Sequence, residues 1–343
     1  MDWTRGHIIG HGSTAAVSVA MSRCTGEIIV VKSTELSRSE FLEKEQKIRS
    51  TLNSPYVVDY KGYDVTRENN KVMFNLMMEY MPDGTLIDEI RKQGGRLNLE
   101  LIRHYTKQIV QGLDYLHSKG IVHCDIKGHN ILLCNTGAKI GDFGCSKRVD
   151  GVTIGGTPMF MAPEVVRGEE QGFRADIWAL GCTIIEMATG GSPWTNVNNS
   201  ASLLYHIAFS GLTPEIPKYL SSQGREFLNK CLRRDQKQRC SAKELLKHRF
   251  LDLYNEENQD CSPTSVIDHC IWNSNEEIDD SIQEMSRCLT DLTLQRVGKL
   301  ELQSGKPDWK LDYECWIMVR RKSEDLPTCK NGMTTFSEKT HFY

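Results

Sequence analysis

Residues 121–130 read IVHCDIKGHN and set four acid–base or metal-capable side chains, His123, Cys124, Asp125 and His129, within seven positions. Two chemistries fit. Imidazole, thiol and carboxylate could share a metal ion. A zinc site, however, usually draws further ligands at recognisable spacing, and the nearby carboxylate that fits is Asp142, in Gly-Asp-Phe-Gly (141–144). The alternative is phosphoryl transfer. That reaction needs a base or positioner for the attacking hydroxyl, a cation near the transferred group and oxygen ligands for magnesium. Asp125 can be the base and Lys127 the cation, while Asn130 and Asp142 offer hard oxygen atoms that suit Mg2+ rather than zinc. This reading needs fewer coincidences. Glu164, in Met-Ala-Pro-Glu (161–164), follows at a distance that leaves room for a substrate-binding segment.

A second group lies near the N-terminus. Gly10-His11-Gly12-Ser13-Thr14-Ala15 has the form G-x-G-x-x-A. A dinucleotide fold needs such glycines between a strand and a helix. Here Ala16-Val17-Ser18-Val19-Ala20 favours another strand. A glycine hairpin can lay bare N–H groups over phosphates; an ordinary turn is the alternative. Lys32 closes the short stretch Glu27-Ile28-Ile29-Val30-Val31, and Glu45 lies on the next predicted helix. They could pair to hold a phosphate-binding ammonium, or stand apart as a surface lysine and a helix-face glutamate.

The elements that must carry these residues change character along the chain. Residues 6–33 read as strand, glycine turn, strand, loop, strand. A helix is expected over 39–52, with Phe41, Leu42, Ile48 and Leu52 near helical spacing, and then strands over 56–65 and 71–81. After that, helices dominate. Residues 99–120 place Ile102, Tyr105, Ile109, Leu113 and Leu116 on one face and stop at Gly120. Further helices are expected at 173–190, 200–209, 222–233 and 241–247. A small sheet-rich lobe thus precedes a larger helical one, an α+β bilobal architecture, and ligand sites favour such junctions.

In order and spacing the motifs resemble a eukaryotic protein kinase over residues 3–251: Gly10-x-Gly12, Lys32, Glu45, His123-x-Asp125-x-Lys127-x-x-Asn130, Asp142-Phe143-Gly144, Ala162-Pro163-Glu164, Asp176 and Arg239. The lysine two places after Asp125 resembles the serine/threonine class. The resemblance implies a kinase domain over 1–251, with an N-lobe to about residue 80 and a C-lobe from about 82. It implies ATP and Mg2+ as cofactors, with Asn130 and Asp142 holding the metal. Adenine would bond to the backbone of Glu79 and Met81, behind which stands Met78, and lie between Ile9, Val17, Val30 and Leu132, whose alternative role is plain core. The glycine loop, including His11 and Ser13, would cover the phosphates. In the family Asp176 buttresses the catalytic loop and Arg239 pairs with Glu164. Ala15 departs from the third glycine, and Cys124 replaces the arginine that usually pairs with a phosphorylated activation loop. A thiol cannot make that charge-assisted bond, so activity not gated by loop phosphate is expected. Reactive-thiol roles for Cys124 and Cys145 stand beside inert packing.

Gly156–Val165 resembles the signature of MEKK-type MAP kinase kinase kinases, and residues 122–133, 168–190 and 192–194 look most like plant members with a short N-terminus. Such enzymes phosphorylate a MAP kinase kinase in a stress or hormone cascade. Thr157 would then sit against Asp125 and Lys127 and help to place the acceptor hydroxyl; Ser146, Thr153 and Thr157 are candidate phosphosites. A pseudokinase-type scaffold is the rival, but Lys32, Glu45, Asp125, Asn130 and Asp142 are all present.

Composition narrows the setting. The chain has 343 residues and a net charge of −3, which gives no reason to expect nucleic-acid binding. No run approaches the ~18 apolar residues of a membrane span. No basic-then-apolar leader opens the chain. Twelve cysteines without a C-x-x-C pair suggest reduced thiols in a cytoplasmic or nuclear protein, and a monomer is expected. Charge divides the chain near Leu251: residues 252–343 carry 18 acids against 10 Lys and Arg, leaving the first 251 residues at +5. The acidic start of this tail, with Val266, Ile267, Ile271, Trp272, Ile278 and Ile282 interspersed, suits a partly disordered regulatory or docking segment, or a solvated linker.

Overall fold

The computed structural model describes residues 3–12, 15–152, 154–195 and 199–252. Ser13, Thr153 and the acidic tail beyond residue 252, with its expected docking role, lie outside the described residues.

The first lobe is a five-stranded antiparallel sheet of β1 (Trp3–His11), β2 (Ala16–Ser22), β3 (Ile28–Glu35), β4 (Tyr60–Glu68) and β5 (Lys71–Glu79), in the order β1-β2-β3-β5-β4. Side chains alternate across a pleated strand, and β3 is covered on both faces. Ile29 and Val31 pack outward with Ala20 and Met77, while Val30 packs inward with Leu42, Phe74, Leu76 and Met78. This two-sided burial explains the unbroken Ile-Ile-Val-Val run. Lys32, two residues past Val30, shares the inner face.

Helix α1 (Glu40–Arg49) lies against that inner face and buries Leu42, Glu45 and Arg49, a stripe at i, i+3 and i+7. Two charged groups on a buried stripe require partners, and the site supplies them. Phe41, expected among the apolar contacts of this helix, is 62% exposed instead. The stripe through Leu42 and Glu45 turns its neighbour out to water.

The second lobe contains α2 (Leu86–Lys92), α3 (Leu99–Ser118), α4 (Pro163–Val166), α5 (Phe173–Thr189), α6 (Ser200–Phe209), α7 (Ser222–Cys231) and α8 (Ala242–Leu245). Short strands β6 (Ile121–Val122) and β9 (Lys147–Arg148) pair with each other, as do β7 (Ile131–Cys134) and β8 (Gly137–Ile140). The four short strands, α2 and α4 were not expected from periodicity. The expected helices at 222–233 and 241–247 end two residues earlier, at Cys231 and Leu245. On α3, Ile102, Ile109, Leu113 and Leu116 are buried as expected while Tyr105 is only partly covered. The helix stops where Gly120 takes φ +73°, a left-handed turn that a glycine adopts without penalty. Helix α5 is buried nearly all round and forms the axis of the lobe's core. Among the described residues no helix is long and apolar enough to cross a membrane.

Candidate active site

Lys32 and Glu45 meet. The Lys32 Nζ lies 2.8 Å from Glu45 Oε2 and 2.9 Å from Asp142 Oδ1, so one ammonium ties the sheet and α1 to the second lobe. Burial works against its charge, but Asp142 and Glu45 outweigh that and hold its pKa above the ordinary lysine value. Glu45 is itself saturated: its Oε1 accepts from Arg49 Nε at 3.0 Å and from the Phe143 N–H at 3.2 Å. Asp142 adopts φ +47° and accepts from the Gly144 N–H at 3.3 Å. Crowding by protein alone would raise its pKa; Lys32, by charge and hydrogen bond, and then Arg49 reverse the sign and hold the carboxyl well below the usual range. Its side chain nonetheless keeps 49% of its area open, so an ionised oxygen faces the space between the lobes.

The stretch 121–130 is arranged around the Asp125 carboxylate. Asp125 Oδ1 accepts from the Thr157 N–H at 2.9 Å and the Thr157 hydroxyl at 2.7 Å. Its Oδ2 accepts from Asn130 Nδ2 at 2.9 Å and lies 2.9 Å from Lys127 Nζ. Lys127 also donates to the Thr157 hydroxyl oxygen at 2.6 Å. The Asn130 nitrogen donates further to the Asp125 carbonyl at 2.8 Å, which leaves the amide oxygen of Asn130 for another partner. His123 accepts the Asp125 N–H on Nδ1 at 3.3 Å, so its proton sits on Nε2, which donates to the Gly141 carbonyl at 2.9 Å. One imidazole therefore links the backbone of Asp125 to the residue preceding Asp142. His129 lies at the exposed mouth of this loop, outside the carboxylate cluster.

The loop rests on α5. Asp176, 1% exposed, accepts from the N–H groups of His123 and Cys124, both at 2.9 Å, and bonds His117 Nε2 at 2.9 Å. Cys124 is buried at φ +68°, its thiol directed at the Val122 carbonyl. Burial, reinforced by Asp176, pushes that thiol well above its ordinary pKa, and burial pushes Cys145 up to about 11. The thiolate is the reactive form, and at both positions burial disfavours it. Ser146, a candidate phosphosite, is also buried, with its hydroxyl on the His123 carbonyl. Further back, Arg239 and Glu164 form a buried bidentate pair at 2.7 and 3.0 Å.

Where an adenine ring is expected, Val17, Val30, Met78, Met81 and Leu132 share one apolar cluster with Ala15. Ile9 does not join it and is 47% exposed. Glu79 turns its carboxylate to Lys139, 2.8 Å away, leaving its backbone at the end of β5. The glycines connect two paired strands, Gly10 facing Val17 and His11 facing Ala16, which rules out a strand-to-helix dinucleotide turn. A Cβ on Gly10 would meet nothing within 4 Å, so packing within the protein does not require glycine there.

Arg49 and Gln171 were not singled out from sequence. Arg49 carried a signal, four residues after Glu45 on one helix. Gln171 carried none, since its partner is backbone: its amide donates to the Gly155 carbonyl at 3.0 Å and accepts the Gly155 N–H at 3.1 Å.

Hard oxygens at Asn130 and Asp142 fit a magnesium ion that takes its other ligands from phosphate and water. Among the described residues no group of three or more His, Cys, Asp or Glu could hold a metal ion.

Comparison with known proteins agrees with this geometry. The family model described as the protein kinase domain matches residues 3–251. Mitogen-activated protein kinase kinase kinase 17 of Arabidopsis thaliana is 47% identical, over 99% of this chain and 96% of its own length. Mitogen-activated protein kinase kinase kinase 18 of the same plant is 46% identical, over 94% of this chain and all of its own. Mitogen-activated protein kinase kinase kinase A of Dictyostelium discoideum is 37% identical over 77% of this chain and 30% of its own.

Proposed function

The chain belongs to the protein kinase family and is a serine/threonine kinase of MAP kinase cascades; from that premise we propose that it transfers the γ-phosphate of ATP to a MAP kinase kinase. The observation that carries the proposal is the surroundings of the Thr157 hydroxyl. That hydroxyl donates to Asp125 Oδ1 at 2.7 Å and accepts from Lys127 at 2.6 Å. An acceptor serine or threonine needs the same two partners: a carboxylate to take its proton and a cation beside the group being transferred. Thr157 keeps the place between them shaped for a hydroxyl.

The remaining residues divide the work. Lys32, aligned by Glu45, presents an ammonium to phosphate oxygens. Val17, Val30, Leu132, Met78 and Met81 offer an apolar slot for the adenine ring, with backbone at Glu79 and Met81 for its polar edge. Protein kinases generally use ATP with Mg2+. Magnesium, when bound, neutralises charge on the phosphates; the Asn130 oxygen and the Asp142 carboxylate would hold it.

Activation without loop phosphate belongs to the same proposal. Cys124 brings no cation to the loop. The segment 142–164 is instead held by the β6–β9 pair, by Lys147 on the Gly151 carbonyl at 2.7 Å, and by Trp194 Nε1 on the Met159 carbonyl at 3.2 Å. Phosphatase treatment should leave activity within about two-fold, below the scale of one lost charged hydrogen bond.

The test is phosphate incorporation into a panel of purified MAP kinase kinases. Asp125→Asn should lose at least ~100-fold in kcat, as removal of a positioned base does. Equal incorporation by wild type and mutant would favour the scaffold reading, and complete loss after phosphatase would remove the claim of phosphate independence.

A further inference from the structure

Three residues, Ile154, Gly155 and Gly156, separate Thr157 from Thr153, and the two glycines cross a narrow passage. An added Cβ on Gly155 would lie 3.3 Å from Cys145 Cβ, and one on Gly156 would lie 2.3 Å from the Cys124 carbonyl oxygen. The Gly155–Gly156 backbone therefore threads between the loop after Asp142 and the loop before Asp125. Gly156 does so at φ +119°, where only glycine is unstrained. Such a thread has no side chains with which to anchor itself. Its anchor comes from Gln171, near the start of α5. The side chain of Gln171 is 3% exposed and meets both polar groups of Gly155, the N–H and the carbonyl.

We propose that Gln171 is a positioning residue for phosphoryl transfer, a neutral clamp that fixes the activation segment at Gly155 and so sets Thr157 against Asp125 and Lys127. The clamp stands two residues before Thr157, whose N–H and hydroxyl both reach Asp125 Oδ1. A primary amide suits the task because it donates and accepts at once. Being uncharged, it holds the segment with no phosphate present, where an arginine clamp would need one. The inference rests on the kinase reading and deepens its claim about activation.

The chemistry of the amide gives the test a signature. Gln171→Glu keeps the shape, but the ionised carboxylate has only acceptors and repels the Gly155 carbonyl. Protonation restores one donor beside one acceptor. Gln171→Met fills the space without either. Steady-state kinetics on phosphatase-treated full-length protein, with a purified MAP kinase kinase and a generic acceptor protein, measure kcat and both KM values across pH 5.5–8.

Both variants should show about 10-fold lower kcat at pH 8 with an unchanged KM for ATP, the size expected from losing a pair of buried hydrogen bonds. The ratio of Gln171→Glu to wild-type activity should climb as pH falls, while the ratio for Gln171→Met stays flat. Wild-type kcat in both variants, or parallel pH profiles for the two, overturns the clamp. Equal loss of kcat and thermal stability in both, without the pH signature, overturns it too, because that is mere unfolding. Inactive wild-type protein on every acceptor would instead defeat the kinase reading beneath it.

Discussion

Glu45→Gln separates the two duties of one buried carboxylate. Glu45 is 1% exposed and receives Lys32 on Oε2, and Arg49 with the Phe143 N–H on Oε1. An amide has one oxygen. If that oxygen turns to Arg49 and Phe143, where two donors wait, its nitrogen faces the Lys32 ammonium. Lys32 then exchanges a charged hydrogen bond, about 1.5–3 kcal/mol, for none, and keeps Asp142 alone. A loss of about 1.5 kcal/mol from phosphate positioning is about 10-fold in kcat/KM. Arg49, 2% exposed, retains the Val58 carbonyl at 3.2 Å, the Phe143 ring at 4.7 Å and the more distant charge of Asp142, but no hydrogen-bonded carboxylate. A buried charge stripped of its partner costs about 3–5 kcal/mol. For a domain of this size that lowers Tm by about 10 °C, at roughly 2–4 °C per kcal/mol. Adding Arg49→Met should recover most of the Tm, because an apolar group of similar volume replaces the orphaned charge, while kcat/KM stays low. Thermal unfolding and steady-state kinetics on the three proteins read both quantities. A Glu45→Gln protein that melts within 2 °C of wild type would refute the claim that Glu45 neutralises Arg49. A double variant with restored kcat/KM would refute the claim that it aligns Lys32.

Two further outcomes follow from the same geometry. Gly156→Ala should reduce activity by more than 10-fold and lower stability by about 2 kcal/mol or more, through a left-handed backbone and a Cβ 2.3 Å from the Cys124 carbonyl oxygen; near-normal kinetics and melting would show that the thread is not tight. Glu186, whose Oε2 accepts the Gly128 N–H at 2.9 Å beside Lys127, has its pKa raised by burial from 4.5 to about 7. The folded state then binds the extra proton, so its contribution to stability is full below pH 4.5 and is lost as pH rises through about 7; Glu186→Gln should flatten this part of the Tm–pH curve, and an unchanged curve would show that Glu186 does not titrate there.

The chemistry of the site was legible because its residue types are few and ordered, but the contacts among them were not. Lys32 and Glu45 are thirteen residues apart, and nothing local distinguishes a pair from two surface charges. Their meeting depends on the pleat of β3 and the buried stripe of α1. The long helices α3 and α5 were legible from periodicity, whereas β6 and β9 have two residues each, too few to show a period. Helix α2 is short as well, yet Thr85 and Asp88 form a capping box at its start and were a readable signal. Phe41 misled because apolar spacing on a ten-residue helix does not say which of two adjacent residues faces inward. Gln171 could not be found at all, since it recognises backbone and a glycine bears no mark of being recognised.

The position of Cys124 follows from how the two carboxylates are held. Asp176 on α5 fixes the N–H groups of His123 and Cys124, and His123 then spans from the Asp125 N–H to the Gly141 carbonyl. Asp125 and Asp142 are thus referred to one rigid helix through backbone and imidazole, with no contribution from the side chain at 124. That side chain is left in a dry place beside Asp176 and Lys147, with Gly156 against its carbonyl. An arginine there would join Lys147, 3% exposed, as a second cation in low dielectric, while the neighbouring Asp176 is already engaged by two N–H groups and His117. The neutral thiol of Cys124 adds no charge of its own beside the Thr157 N–H and hydroxyl, which reach Asp125 Oδ1 at 2.9 and 2.7 Å, and the phosphate-independent activation proposed above predicts that Cys124→Arg creates a demand for an anion on the loop.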